Sequence, residues 1–235
     1  MHVSTEPTKP PAAQPVVLES RVLAHRQLST SSFELTLERQ GLSFHAGQLI
    51  NLHGRNHLED RSYTVCAGER DESLVVLYRL IPTGLLTPQL ARLRPGDRQI
   101  LSGPYGEFTV RDPARPVVFF ATGTGIAPAR AYQRSHPALE LHLVHGVRET
   151  DDLYYRGDWR TIASYQPCVS GQPATTGIFP GRVTQFARDA TWPDGSRYHL
   201  CGANEMIYEM TDLLLARGVA REDIFTEAYY YRADE

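Results

Sequence analysis

Lysine is almost missing from this chain. Of its 24 basic residues one is lysine, Lys9, and the rest are arginine. Anions would therefore be held by planar guanidinium forks, which grip phosphate oxygens two at a time, rather than by flexible ammonium groups. Cysteine is scarce as well. Cys66, Cys168 and Cys201 are an odd, widely spaced set, which excludes a disulfide framework and close-set metal-ligand pairs. An iron–sulfur cluster held in the usual way needs about four thiolates and is excluded too. Unpaired thiols suit a reducing compartment, so a cytoplasmic location is expected. No apolar stretch reaches the roughly 18–20 residues of a membrane span. The opening MHVSTEPTKPPAAQP lacks the apolar centre of a signal peptide and reads as a disordered, Pro-rich tail over residues 1–15. Neither charge sign dominates: 24 basic residues stand against 27 acidic ones. Neither a nucleic-acid nor a membrane partner is expected. There is no G-x-S-x-G nucleophile elbow. Nine histidines are present, yet none pairs convincingly as metal ligands. His53 and His57 fall in a polar loop, and His142 and His145 would point to opposite faces of a strand.

What is there is a chain of 235 residues, 41% hydrophobic, enough for one large core or two small ones. Residues 16–112 read as all-β. VVLESRVLAHRQL, SFELTLER, GQLINLHG, RSYTVCAG, SLVVLYRL and RQILSGPYGEFTV are β-prone runs between polar or Gly-rich turns, spaced as in a closed antiparallel barrel. One helix is expected among them, from Leu85 to Leu93. Asp112-Pro113-Ala114-Arg115-Pro116 reads as a linker. Over 113–235 strands and helices alternate. Strands are expected at 117–121, 139–146, weakly at 167–170, and at 197–203 and 223–230. Helices are expected at 128–135, 157–165, 181–188 and 205–217. That alternation predicts a doubly wound parallel α/β domain.

The most informative stretch is VVFFATGTGIAP, residues 117–128. An apolar run ends in Gly123-Thr124-Gly125, with Pro128 where a helix would begin. Such a turn lets a phosphate approach bare N–H groups at a helix N-terminus. Pro128 costs little there, since its missing N–H would be unpaired anyway. The pattern G-x-G-x-x-P departs from the dinucleotide fingerprint G-x-G-x-x-G, and a plain strand-to-helix connection reads the same way.

Four further motifs narrow the reading. Arg61-Ser62-Tyr63-Thr64 and Gly103-Pro104-Tyr105-Gly106-Glu107-Phe108 precede the Gly-rich turn. Cys201-Gly202 with Met206, then Glu227-Ala228-Tyr229, follow it. In this order the five resemble the ferredoxin/flavodoxin–NADP reductase family, in its bacterial, FAD-binding form without an iron–sulfur domain. The resemblance runs from about Val16 onward. It implies two domains: an N-terminal antiparallel β-barrel for FAD over 16–112, and a doubly wound parallel α/β domain for NAD(P) over 113–235.

The resemblance also implies roles. Arg61 would neutralise the flavin pyrophosphate, with Ser62 beside it. Tyr63 would pack on the flavin or ribityl chain. Thr64 would sit near the hydride-accepting nitrogen. Leu85, Leu86 and the Thr87 hydroxyl would complete the diphosphate site, although Thr87 also suits a plain helix cap. Gly123, Thr124, Gly125 and Pro128 would carry the nicotinamide nucleotide, with Gly202 and Met206 at the same sheet edge. Cys201 would pack against the nicotinamide, as position rather than nucleophile; a buried Cys acting as a small hydrophobe is the plain alternative. Glu227 would be a charge or hydrogen-bond partner there. Tyr229 or Tyr230 would shield the flavin until nicotinamide displaces it.

Val147-Arg148, Ser170 and Arg182 match positions that hold the 2′-phosphate of NADPH. Gly171 departs, since NADPH-using relatives carry arginine there, and no acid stands out to hold the ribose hydroxyl of NADH. NADP(H) is expected, with NAD(H) as the alternative. Electrons would pass singly to a ferredoxin or flavodoxin, a separate small protein, for which Arg92, Arg94 and Arg98 offer a modest basic patch. Rival readings are an NADH-dependent reductase serving an oxygenase, a reductase of free flavin, and a nucleotide-binding interaction module without redox activity.

Overall fold

Six strands make the first half. They are β1 (Val16–Gln27), β2 (Ser32–Glu38), β3 (Leu49–His53), β4 (Asp60–Thr64), β5 (Ser73–Arg79) and β6 (Arg98–Tyr105). Apolar–polar alternation gives β2, β3 and β5 a buried face. In this computed structural model, which describes residues 15–55, 59–173 and 175–229, the six form an antiparallel sheet in the order β4-β3-β6-β1-β2-β5. The expected N-terminal tail lies outside the described residues but for its last position, and so does His57. Just past β4, Val65 bridges to Val76 of β5, and the Cys66 N–H donates to Val75 O at 2.7 Å. The sheet thus closes on itself, which removes its unpaired edges. Leu35, Leu37, Ile50, Leu52, Leu74, Val76 and Leu101 fill the interior.

The helix expected from Leu85 to Leu93 shrinks to a single turn, α1 (Thr87–Leu90). Beyond it the N–H groups of Arg92 and Leu93 reach back only three residues, to Gln89 O and Leu90 O. That tightening leads into a turn where the Asp97 carboxylate accepts from the Arg94 N–H at 2.7 Å.

Six more strands, β7 (Val117–Thr122), β8 (Leu141–Val147), β9 (Ser164–Val169), β10 (Phe179–Pro180), β11 (Arg197–Gly202) and β12 (Ile224–Ala228), pair in parallel in the order β10-β9-β8-β7-β11-β12. Strand β7 is apolar from Val117 to Ala121 because both its faces are covered. Phe119 and Ala121 face a cluster that includes α2 (Ala127–Ser135); Val118 and Phe120 face α3 (Val183–Ala187) and α4 (Asn204–Ala216). The helix expected near 157–165 is absent. Only a tight turn forms at Asp158–Thr161, burying Trp159, and the weak strand grows into β9 from Ser164. Pairing with β8 along its whole length decides that segment. Strand β10 is too short to leave a periodic pattern. Among the described residues no helix is long and apolar enough to cross a membrane.

The two halves share a core. Ala46, Cys66, Leu77 and Phe108 pack in one cluster with Phe119, Tyr132 and Cys201. From β7 the chain winds outward through β8 and β9, then returns to the other side of β7 as β11. Ligands of open α/β sheets bind at such a reversal, beyond the carboxyl ends of the strands.

Candidate functional site

At that reversal β7 ends in Thr122 and β11 in Gly202. The Ala203 N–H donates to Thr122 Oγ1 at 2.8 Å, tying the start of α4 to the end of β7. A Cβ on Gly125 would land on the Cys201 carbonyl, and one on Gly202 on Thr122 Oγ1, so only glycine lets these backbones approach. Gly123 to Ile126 form a tight 3-10 turn that runs straight into α2, with Pro128 buried in its first turn. Beneath the turn lies His145. A carbonyl can only accept, so its Nε2–H donates to Gly123 O at 3.0 Å. Its Nδ1 is buried without a partner, and burial pulls its pKa down to about 4, so the ring is neutral at pH 7.

A cleft of about 560 Å3 opens over this turn, between the α/β sheet and the barrel. Gly123, Thr124, Val147, Arg148, Ser170, Arg182 and Met206 line it. The sequence reading passed over Arg79 at the end of β5, and over Glu149, Asp152, Tyr154 and Glu205, which line it too. A lone arginine ending an apolar strand, and an acid roughly twenty residues beyond a Gly-rich turn, were the signals to follow. The cleft's walls are joined: Ser29 Oγ donates to Asp152 Oδ1 at 2.7 Å, and Ser32 Oγ lies 2.6 Å from the Tyr154 hydroxyl.

Next to the carboxyl end of β11, four residues from both halves meet. Cys201 pairs in register with Glu227 on β12. The Tyr229 N–H donates to Gly202 O at 2.9 Å, and its hydroxyl lies 2.7 Å from Thr64 Oγ1 on the barrel. That hydroxyl also reaches the Cys201 thiol. Burial, with Glu227 nearby, holds the thiol well above its ordinary pKa, so it stays neutral. Burial also raises the Glu227 carboxyl. Tyr230 lies outside the described residues.

On the barrel, Arg61 exposes its guanidinium while donating to Asp60 O at 2.8 Å. Ser62 Oγ donates to Asn51 Oδ1 at 2.7 Å. Tyr63 is half-buried, edge-on to Tyr78 with centroids 6.3 Å apart. An exposed guanidinium and a partly open aromatic ring suit a diphosphate and a flat ring system, so this donor set fits FAD. The Thr87 hydroxyl does not belong to it. That hydroxyl is spent inward, donating to Ile81 O at 3.2 Å and accepting from the Ile81 N–H at 2.9 Å. Leu86 is buried beneath the same turn, and Leu85 alone is exposed.

Residues 15–110 match the oxidoreductase FAD-binding domain and residues 119–212 the oxidoreductase NAD-binding domain. The chain belongs to the ferredoxin–NADP reductase family. It is 30% identical over 222 residues to the toluate 1,2-dioxygenase electron transfer component of Pseudomonas putida, covering 87% of this chain and 65% of that protein. It is 32% identical over 185 residues to the reductase subunit of an Amycolatopsis aromatic O-demethylase, covering 71% of this chain and 55% of that one. This chain thus spans roughly half to two thirds of the length of these two relatives. Among solved structures, the Amycolatopsis cytochrome P450 reductase GcoB superposes with a TM-score of 0.82 at 26% identity, over 91% of this chain and 70% of that one. A ferredoxin NADP+ reductase from Neisseria gonorrhoeae with bound FAD and NADP has the same fold. Its TM-score is 0.81 at 20% identity, over 91% of this chain and 99% of that one.

The end of the cleft around Arg148 has mixed charge. Arg148 has an 86% exposed side chain, and its Nε lies 3.9 Å from Glu149 Oε1. Gln172 Nε2 donates to Glu149 Oε2 at 2.6 Å and holds that carboxylate in place. The acid missing from the sequence reading is therefore present beside Arg148. Around the expected basic patch, Arg98 Nη1 lies 3.7 Å from Glu19 Oε2 and the Asp97 carboxylate accepts from the Arg94 backbone N–H, so two acids stand among the three arginines.

Proposed function

We propose that this chain is a reductase module that takes electrons from a nicotinamide nucleotide and passes them singly to a redox partner of the kind that feeds an oxygenase. One observation carries the reading: Thr64 of the barrel meets Cys201 and Glu227 of the α/β half through Tyr229, beside the nucleotide cleft. When bound, FAD accepts a hydride and releases its electrons one at a time. The protein supplies position and polarity. Arg61 would hold the flavin diphosphate. Arg79, Arg148 and Arg182, which line the cleft with the Gly123–Gly125 turn, would hold the nucleotide phosphates. Tyr229 covers Thr64 and turns aside when nicotinamide enters, freeing the Thr64 hydroxyl to donate. Cys201 remains a neutral thiol and sets contact distance, while Glu227, its pKa raised by burial, holds a hydrogen bond. The named relatives, an electron transfer component of a dioxygenase and a P450 reductase, support the oxygenase side of the reading; a ferredoxin or flavodoxin is the carrier that the family resemblance supplies. Three free, buried cysteines suit the cytoplasm.

Arg148 and Arg182, set against Glu149, make NADPH the preferred donor, with NADH accepted through Glu149. Anaerobic stopped-flow bleaching of the flavin by each nucleotide tests this. Reduction by both, faster with NADPH, is expected. A strong NADH preference would reassign Arg148 and Arg182, and no bleaching by either would leave the interaction-module reading.

A further inference from the structure

Outside the residues that line the cleft, the seam between the two halves holds an arginine that the mechanism does not use. Arg130, on α2, has a side chain only 14% exposed, and its Nε donates to Asp158 Oδ2 at 2.8 Å. One of its terminal nitrogens donates to the Cys66 carbonyl at 3.2 Å, across the seam. Its guanidinium carbon stands 4.2 Å from the centroid of the Tyr155 ring. Tyr155 itself adopts φ +57°, a left-handed conformation that a bulky side chain takes up only at a cost. Glu34, on the barrel, acts on both the Cys66 thiol and the Tyr155 phenol. A charge this deep is retained only with good partners, and apolar packing would glue two halves together as well or better. The stack's location gives it a different purpose. Helix α2 begins at the Gly-rich turn, so Arg130 lies within a turn of the nucleotide site. Cys66 follows Thr64 by two residues, and its N–H is already committed to barrel closure at Val75 O. Arg130 takes the carbonyl of that same residue.

We infer that Arg130 is a positioning residue for hydride transfer, fixing the Gly-rich turn at the start of α2 relative to Thr64 on the barrel through the Cys66 carbonyl. The inference rests on the reductase reading above. Asp158 and the Tyr155 face hold the guanidinium flat so that its remaining donors point across the seam. Lysine could reach one of these partners but could not stack and donate in two directions together.

The test compares the FAD-loaded wild type with Arg130→Met, Arg130→Lys and Tyr155→Leu. Four quantities are read: FAD content, nucleotide dissociation constant, limiting flavin-reduction rate, and the long-wavelength absorbance of nicotinamide stacked on flavin. Hydrogen exchange of the Val65 and Cys66 amides adds a readout independent of turnover. Arg130→Met is expected to keep its FAD and bind nucleotide within about twofold, while its limiting rate falls at least about tenfold. Its stacking absorbance weakens and the two amides exchange faster. Arg130→Lys recovers part of the rate. Tyr155→Leu, which leaves the charge in place, shows the same split in smaller degree and serves if Arg130→Met fails to fold. A wild-type limiting rate in Arg130→Met would overturn the inference. So would rate, affinity and FAD content falling together, with Arg130→Lys restoring all three, because that marks a structural tie. A wild type that holds FAD but is bleached by neither nucleotide would overturn the reductase reading itself, and this inference with it.

Discussion

Cys201 is a thiol and stays one. Burial and the neighbouring Glu227 keep it from ionising, so its contribution is shape and distance. Cys201→Ala should retain FAD and slow the limiting reduction rate by about tenfold to a hundredfold, read by stopped flow, as expected when reacting atoms lose their close contact. Beside Arg148, the sequence reading treats Gly171 as a missing arginine. The structure gives the glycine its own reason: a Cβ there would sit 2.6 Å from Arg148 O and 2.7 Å from Arg148 Cγ. Gly171→Arg is therefore expected to displace Arg148 and lower NADPH affinity instead of raising it. Glu149→Gln removes the carboxylate beside Arg148 and should raise the ratio of NADPH to NADH affinity by about tenfold, the size of one charge-assisted hydrogen bond. Titrating both nucleotides against the oxidised flavin measures each shift.

At the scale of elements, the strands were legible because each carries its own pattern. The alternation of β2 and β5 and the unbroken apolar run of β7 are local signals, and the barrel and parallel sheet follow from them. What failed to read were segments whose conformation is set from outside. The stretch 157–165 has enough apolar residues for a helix but keeps only one tight turn at Asp158–Thr161, because from Ser164 onward the chain is drawn into pairing with β8. Thr87 looks like a ligand hydroxyl until the loop from Ile81 folds back on it. The turn at Gly47 matters more than any motif suggested. Its φ is +94°, and a Cβ would run into the Phe108 carbonyl, three residues past β6. Gly47→Ala combines a left-handed backbone with a backbone clash and should cost about 2–4 kcal/mol or prevent folding, measured by urea denaturation.

At the scale of the whole molecule, the seam is a shared core with polar pins. The Tyr132 hydroxyl donates to Phe108 O at 2.7 Å and lies 3.1 Å from His199 Nδ1, which therefore carries the proton. Phe108 and Phe225 flank the His199 ring, with centroids at 5.1 and 4.9 Å. Burial first, then Arg197 and Arg111, pull its pKa down to about 3, and burial pulls His145 to about 4. Both histidines are neutral in the folded state and bind protons near pH 6.5 only when unfolded. Stability is thus fully present above about pH 6.5 and falls as pH drops toward the folded values, by roughly 1.4 kcal/mol per pH unit for each ring. Urea denaturation at pH 7.5, 6 and 5 should show that slope, and His199→Phe should remove about half of it.

The sequence alone determined most of the element types, the Gly-rich turn, the order of the five motifs and hence the family, because each depends on residues within a few positions of one another. Only the tertiary structure decided that Tyr229 meets Thr64, 165 residues away in the chain, that Glu149 shares a cleft with Arg79, and that Arg130 spans the seam to Cys66. Those contacts exist because closing the barrel and reversing the strand order bring distant segments together, and no local pattern of side chains encodes a distance of that kind.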